Sequence, residues 1–369
     1  MRVLHLGKLC PPNEGGIEVF SFDLLEALNN KGIKADLLCF CENTREDSYN
    51  GFKFFACKMN LKLNSAPLSC DYIRTFRKIV KHYDIIHVHS PNPLAEILTL
   101  ITDKKVIIHW HSDIVRQRIS YFFYKPIQQK VLKKADRIIA TSIQYLETSK
   151  QIKNFKDKAI AIPLGLNPKR LKIKEQDLRE FDKIKEKISN KKVVLAVGRL
   201  IEYKGFEYLV EASQFLKDDT VVLIAGGGPL YKTLKNKIEE LNLKDKVLLL
   251  GRVNNIAVYM KNCDVFCLPS ISRNEAFGLV LVEALYFGKP LVTTNVEGSG
   301  MNYVNKHNET GLIVPPKNSK ALAEAISTIL SNQKLYEKFS KNALERFKEF
   351  EIDSVADKII KVYEIVLKK

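Results

Sequence analysis

The stretch Lys192-Val193-Val194-Leu195-Ala196-Val197-Gly198-Arg199-Leu200 carries the fold in miniature. A run of apolar residues with no polar alternation, closed by a glycine, describes a strand buried on both faces. Such strands belong to parallel sheets covered by helices. Toward the C-terminus, Lys204-Gly205 opens an amphipathic segment over 205–217, and the strand pattern returns at 220–225, 246–250, 264–268, 290–294 and 311–314. Helical segments are predicted at 229–241, 254–261, 278–287 and 318–331, the last with Leu322, Ile326, Ile329 and Leu330 on one face. Toward the N-terminus the same alternation appears independently. Strands are expected at 2–7, 35–40, 52–56, 84–89, 105–110, 137–141 and 159–162, with helices at 16–30, 69–82, 92–101, 119–134 and 142–150. Two series of alternating strands and helices imply two doubly wound parallel sheets. Ligands of such sheets bind at the carboxyl ends of the strands, here in a cleft between two facing domains.

The two series are joined by Pro163-Leu164-Gly165-Leu166-Asn167-Pro168, a Pro/Gly turn cluster that reads as the hinge. A charged helical stretch follows to about 189, and the last segment, 352–367, sets Val355, Ile359, Val362, Tyr363 and Val366 on one stripe. The expected domains are 1–165 and 166–351, with the terminal helix 352–369 packing back on the first. A chain of 369 residues is long enough for two separate cores.

Charge is the unusual feature of the composition. The formal net charge is +17, and residues 51–166 hold 20 basic against 8 acidic side chains, a net of +12. Such an excess implies an anionic partner, whether nucleic acid, lipid surface or phosphorylated ligand. The seven cysteines lie mostly in apolar runs, so small buried hydrophobes are expected rather than disulfides, and the compartment is expected to be reducing. No window approaches the ~18 uncharged apolar residues of a membrane helix, and no secretory signal opens the chain. Both observations point to the cytoplasm.

Several loops carry groups suited to an anionic ligand. Gly15-Gly16 follow the first strand and Pro11-Pro12-Asn13-Glu14, and open a helix, where backbone can approach a phosphate or sugar. Gly198-Arg199-Leu200 with Lys204-Gly205 places two cations at a strand end, a plausible diphosphate clamp. Ala225-Gly226-Gly227-Gly228-Pro229 and Gly251-Arg252-Val253 close the next two strands, without the dinucleotide fingerprint. The most specific stretch runs from Pro269 to Ala284, with Glu275 and Glu283 separated by seven residues around Phe277-Gly278-Leu279. Glu283 sits within an apolar helix and needs a partner, for which ribose hydroxyls or a salt bridge would serve. Four of the seven histidines form two pairs, His87-Val88-His89 and His109-Trp110-His111, each pair on one face of a strand end. A four-histidine metal site is the alternative to satisfied core or cleft histidines, and the scarcity of nearby carboxylates favours the latter.

Taken together, these motifs resemble the family-4 retaining glycosyltransferases of the GT-B fold, over nearly the whole chain. The resemblance rests on Gly15-Gly16, His87-Val88-His89, His111-Ser112-Asp113, Gly198-Arg199-Leu200 with Lys204-Gly205, and Glu275-x7-Glu283. Gly298-Ser299-Gly300, Asn302-Tyr303-Val304-Asn305 and Gly311-Leu312-Ile313-Val314-Pro315 resemble bacterial surface-polysaccharide members. The resemblance implies a fold of two Rossmann-like domains facing a central cleft. It implies that Arg199 and Lys204 hold the donor diphosphate, that backbone around Phe277, Gly278 and Leu279 supports the same phosphate, and that Glu275 contacts donor-sugar hydroxyls. Glu283 would bind the ribose, His111 would lie near the transferred sugar, and Gly16 near phosphate and acceptor. Gly198 would close the clamp, and Arg252-Val253 would lie near the base. No metal or other cofactor is implied.

The activity expected from the resemblance is transfer of a sugar from a nucleotide-diphosphate sugar to a lipid-linked or polysaccharide acceptor, as in lipopolysaccharide biosynthesis. GDP-mannose is the donor suggested by the C-terminal stretch. The alternatives are another GT-B enzyme of nucleotide sugars, such as a soluble-sugar synthase or sugar-nucleotide epimerase, and a nucleic-acid binder. The last lacks any helix-turn-helix, finger or RNP-like motif. The basic excess of 51–166 leads to the expectation of peripheral attachment to an anionic membrane, at the inner face of the cell membrane.

Overall fold

The computed structural model describes residues 1–12, 15–63, 66–115 and 117–368, without the Arg118 side chain. Asn13 and Glu14 of the first loop lie outside the described residues. The chain divides into two compact units, Met1–Leu166 with Glu351–Lys369, and Asn167–Phe350.

In the first unit the elements run β1 (Arg2–Leu9), α1 (Gly16–Asn30), β2 (Lys34–Cys41), β3 (Arg45–Tyr49), β4 (Phe52–Lys58), β5 (Leu61–Leu63), β6 (Ala66–Leu68) and α2 (Cys70–Ile79). They continue with β7 (Ile85–Ser90), α3 (Pro93–Thr99), β8 (Lys105–Trp110), α4 (Arg118–Lys134), β9 (Arg137–Ala140), α5 (Ile143–Thr148) and β10 (Ala159–Ala161). The sheet order is β10-β9-β8-β7-β1-β2-β4-β3. All its pairings are parallel except β3 with β4. The order turns around between β1 and β7, the switch point at which a doubly wound sheet opens a crevice. Helix starts follow local chemistry: Ser69 and Asn92 accept hydrogen bonds from Tyr72 N and Ala95 N, and Pro93 takes the first helical position of α3.

In the second unit α6 (Glu175–Ile188), β11 (Lys192–Val197), α7 (Phe206–Ala212), β12 (Thr220–Ala225), α8 (Tyr231–Glu240), β13 (Val247–Gly251) and α9 (Ile256–Asn262) come first. Then follow β14 (Val265–Leu268), α10 (Leu279–Tyr286), β15 (Leu291–Thr294), α11 (Met301–Val304), β16 (Gly311–Val314), α12 (Ser319–Ser331) and α13 (Gln333–Phe347). The strand order is β13-β12-β11-β14-β15-β16, all parallel, with its switch point between β11 and β14. Val194, Ala196, Val222, Ile224, Val265 and Cys267 of these strands pack against Leu209, Leu234, Leu322 and Ile326 of the covering helices.

The chain then re-enters the first unit through α14 (Ile352–Leu367). Ile352 N donates to Leu166 O at 3.1 Å. Val355, Ile359, Val362, Tyr363 and Val366 are buried, the stripe expected from the sequence.

Three expectations need correction. Cys10 and Cys41 form a disulfide with a Cα–Cα distance of 5.5 Å, because the ends of β1 and β2 lie side by side; Cys39, Cys57, Cys263 and Cys267 are buried thiols as expected. The first sheet is not purely parallel, since β3 is an antiparallel edge strand paired with β4. Residues 205–217 do not form one α-helix: α7 ends at Ala212 and passes into a 3-10 turn over Ser213–Phe215.

Candidate active site

In the second unit, the loops that leave β11 and β14 at the switch point meet. Gly205 sits in the left-handed region (φ 65°) between a 3-10 turn over Glu202–Lys204 and the start of α7. A β-carbon at Gly205 would collide with the Pro269 carbonyl, so the two loops approach closely only because this residue is glycine. Ile271 N donates to Tyr203 O at 2.8 Å, which ties them together. The contact carries Lys204 Nζ to 2.5 Å from Glu275 Oε2, with both side chains about nine-tenths buried (11% and 10% exposed). Ser270 Oγ donates to the same Glu275 oxygen at 3.2 Å. Burial alone would lower the Lys204 pKa; the carboxylate of Glu275, helped by Tyr203, outweighs it and raises the value, so the ammonium is retained.

The end of β15 and the loop after it brace the β14–α10 loop. Thr294 Oγ1 donates to Ser270 O, Ser299 Oγ donates to Glu275 O, and Gly300 N donates to Ala276 O at 2.7 Å. Gly278 then adopts φ 81° as the N-cap of α10, with Phe277 buried before it and Leu279 and Glu283 half-buried after it. Arg199 is exposed just beyond Gly198; its carbonyl accepts from Ile201 N at 2.9 Å, and its side chain makes no hydrogen bond or ion pair among the described residues. Arg252 is exposed after β13 and packs over Gly227, with Val253 half-buried beside it. The second unit therefore collects Gly198, Arg199, Lys204, Arg252, Val253, Glu275, Phe277, Gly278, Leu279 and Glu283 on the loops and helix start at the carboxyl ends of its strands. Lys204 and Glu275, expected to act on different parts of one ligand, are bonded to each other. Arg199, five positions before Lys204, and Arg252 carry side chains without an ion-pair partner among the described residues.

In the first unit, Gly16 opens α1, and a β-carbon there would meet open space. Each H-x-H pair shares one face as expected, and the two pairs pack together in a column that has a fifth member, His5 of β1. His5 and His87 are register partners, and so are His89 and His109. Ring centroids lie 4.4 Å apart for His5 and His87, and 4.5 Å apart for His109 and His111, with the latter rings within 5° of parallel. All five are buried, and burial, reinforced for several by neighbouring imidazoles, holds each pKa below its ordinary value; His89 is pushed down to about 3. The column is neutral at pH 7.

Ligand atoms of His5, His87 and His89, and of His89, His109 and His111, lie within 4.8 Å of one another. In-plane lone pairs of near-parallel rings run side by side and do not converge on one ion, and ring nitrogens already bond to each other, so the geometry fits packed core histidines better than a metal centre. His111 N donates to Ser90 O at 3.0 Å, and its Nδ1 is buried with no hydrogen-bond partner among the described residues. Asp113, of the His111-Ser112-Asp113 motif, accepts from Trp110 Nε1 at 3.0 Å and Ser149 Oγ at 2.6 Å, which anchors the loop.

Sequence reasoning gave no site role to His5, Tyr363, Ser270, Thr294 or Ser299, although Tyr363 lay on the terminal stripe and Ser270 and Ser299 within motifs already singled out. His5 lies on the first strand beside the strand of His87, and only knowledge of strand order aligns them.

A doubly wound sheet with a buried cation and tight loops at its switch point, preceded by a second doubly wound unit, is the architecture of the GT-B glycosyltransferases. The solved structure of Anabaena HepE in complex with UDP superposes with a TM-score of 0.79 over 99% of this chain and 100% of that one, at 19% identity. The family model for glycosyl transferases group 1 matches residues 178–346, and that for glycosyltransferase family 4 matches residues 14–170. The O-antigen chain mannosyltransferase C of Escherichia coli is 30% identical over 100% of this chain and 99% of its own. A Campylobacter jejuni 4-alpha-N-acetylgalactosaminyltransferase, named for an N-acetylgalactosamine-N,N'-diacetylbacillosaminyl-diphospho-undecaprenol, is 34% identical over 82% of this chain and 81% of its own. The chain belongs to this family and is a glycosyltransferase.

Proposed function

We propose that the enzyme transfers mannose, with retention, from GDP-mannose to a lipid-linked or polysaccharide acceptor, and that it needs no catalytic metal. The observation that carries this reading is the buried Lys204 ammonium at the switch point, held by Glu275 and followed on the surface by Arg199. One N–H of Lys204 is committed to Glu275, which leaves donors for a phosphate oxygen, and Arg199 supplies a fork-shaped second cation. Together they would neutralise the charge that develops on the departing diphosphate, with backbone N–H groups around Gly278 in support. His111 and Gly16 would face the transferred sugar and acceptor, Glu283 the ribose, and Arg252-Val253 the base.

With Glu275 bonded to Lys204, no carboxylate is assigned as a nucleophile. The reaction is then a same-face displacement in which the leaving phosphate takes the acceptor proton. The choice of mannose is supported by the name of the E. coli relative, and that of a lipid-linked acceptor by the name of the C. jejuni one. A panel of nucleotide sugars read by thermal shift tests the donor: GDP-mannose and GDP should raise Tm together and compete. A response to UDP-sugars alone would overturn the mannose reading.

The same reading places the enzyme at an anionic bilayer. No helix among the described residues is long and apolar enough to cross a membrane. On α4, however, Ile119 is 80% exposed and Phe122 and Phe123 are each 73% exposed, with exposed Lys125, Lys130 and Lys133 on the same helix. Aromatic wedges beside lysines suit an interface of acyl chains and acidic headgroups. Vesicles containing phosphatidylglycerol should bind the wild-type chain and release a Phe122→Ser/Phe123→Ser variant. Equal binding to neutral vesicles would refute the attachment.

A further inference from the structure

The hydrogen bonds of the histidine column all run in one sense. Tyr363 Oη, from α14, lies 2.6 Å from His87 Nδ1 and 3.3 Å from His5 Nε2. One branch continues from His5 Nδ1 to His89 Nε2 at 3.0 Å, and from His89 Nδ1 to His111 Nε2 at 2.9 Å. The other continues from His87 Nε2 to His109 Nδ1 at 3.2 Å. The branches end on His111 Nδ1 and His109 Nε2, both buried and without partners among the described residues.

Every ring-to-ring link joins Nδ1 of one histidine to Nε2 of another. A neutral imidazole has one N–H and one lone pair, so a proton placed on one ring fixes the next. With the Tyr363 proton also spent within the column, two arrangements satisfy every link. If Tyr363 donates to His87, it accepts from His5, and all five rings carry the proton on Nε2. If Tyr363 donates to His5, all five carry it on Nδ1. The distances select the first, because an O–H···N bond is normally shorter than an N–H···O bond.

We infer that Tyr363 is a positioning residue that sets one shared tautomer on His5, His87, His89, His109 and His111, so that His111 offers the Nδ1 lone pair to a ligand hydroxyl. His111 thus accepts a hydrogen bond from its ligand and donates none at this atom. That the hydroxyl belongs to the transferred sugar rests on the reading of His111 under Proposed function. The tautomer itself is a property of the free protein.

The test is a nitrogen–proton correlation spectrum of the full chain carrying isotope-labelled histidine, which distinguishes protonated from bare ring nitrogens. The five column histidines of the wild type should all show Nε2–H. In His87→Phe the hydroxyl loses its short acceptor and turns to His5, so His5, His89 and His111 should change to Nδ1–H although His111 is not in contact with the substitution. In Tyr363→Phe the two branches are uncoupled, and His111 should populate both forms. Mixed tautomers among the five wild-type rings would overturn the inference, and so would a His111 that is unchanged in both variants. Where a variant does not fold, the wild-type spectrum decides alone. Sugar transfer separates the two readings: Tyr363→Phe should lose about tenfold in kcat/KM. A shifted tautomer with wild-type kcat and KM would instead refute the placement of His111 at the sugar.

Discussion

Acid should unfold the first unit well before its carboxylates titrate. The perturbation is a change from about pH 7.5 to about pH 5.5, a window set by the ordinary histidine pKa near 6.5. His5, His87, His89, His109 and His111 are held neutral by burial, each below its ordinary value. In the unfolded chain they protonate freely. The unfolded state therefore binds more protons, and stability falls as pH falls through 6.5. For each ring the loss at pH 5.5 is about 1.4 kcal/mol, so five rings give a ceiling of about 7 kcal/mol. Glu18 works in the opposite sense, since burial raises its pKa and acidification favours its native form, but it is one group against five. A loss of this size is comparable with the whole stability of a domain.

The assay is built into the chain. Its one tryptophan, Trp110, is fully buried on β8 between His109 and His111, so urea unfolding followed by tryptophan fluorescence reports the first unit. The fluorescence midpoint should drop steeply from pH 7.5 to 5.5, ahead of any later transition seen by circular dichroism. A midpoint that stays constant over this window would refute the neutral, desolvated column.

Further outcomes follow from the second unit. Lys204→Met leaves the Glu275 carboxylate buried without its cation and should cost about 3–5 kcal/mol in urea unfolding, much of it recovered in Lys204→Met/Glu275→Gln. An equal loss in the single and double variants would show that the pair is not coupled. Gly205→Ala forces a β-carbon into the left-handed region and against the Pro269 carbonyl; a loss above about 1 kcal/mol, read as a lower Tm, is expected. Gly16→Ala meets open space and should leave Tm within about a degree of wild type.

What could be read in the sequence depended on whether a signal was local. The strand at 192–197 and the stripe of α14 announce themselves through runs and periods, and both lie where those runs placed them. The edge strand Arg45–Tyr49 is exposed and polar, so only its partner Phe52–Lys58 makes it a strand. The helix Gln333–Phe347 escaped notice because it buries only Phe339, Ala343 and Phe347, although Asn332 caps it in the ordinary way. In the candidate site, the glycines and the Glu275-x7-Glu283 spacing were legible as local patterns. The Lys204–Glu275 pair was not, because it arises from β11 and β14 being neighbours in the sheet. His5 and Tyr363 join the histidine column by the same kind of adjacency, the latter from the far end of the chain.

The central claim is that Arg199 and Lys204 stabilise the departing diphosphate. The most direct measurement is kcat for sugar transfer by Arg199→Ala, by Lys204→Ala and by the double variant, at saturating donor and with folding verified by circular dichroism. The account predicts a loss of roughly 100- to 1,000-fold for each cation removed, because the interaction forms fully only as charge develops on the phosphate. Transfer at near wild-type kcat by the folded double variant would contradict it.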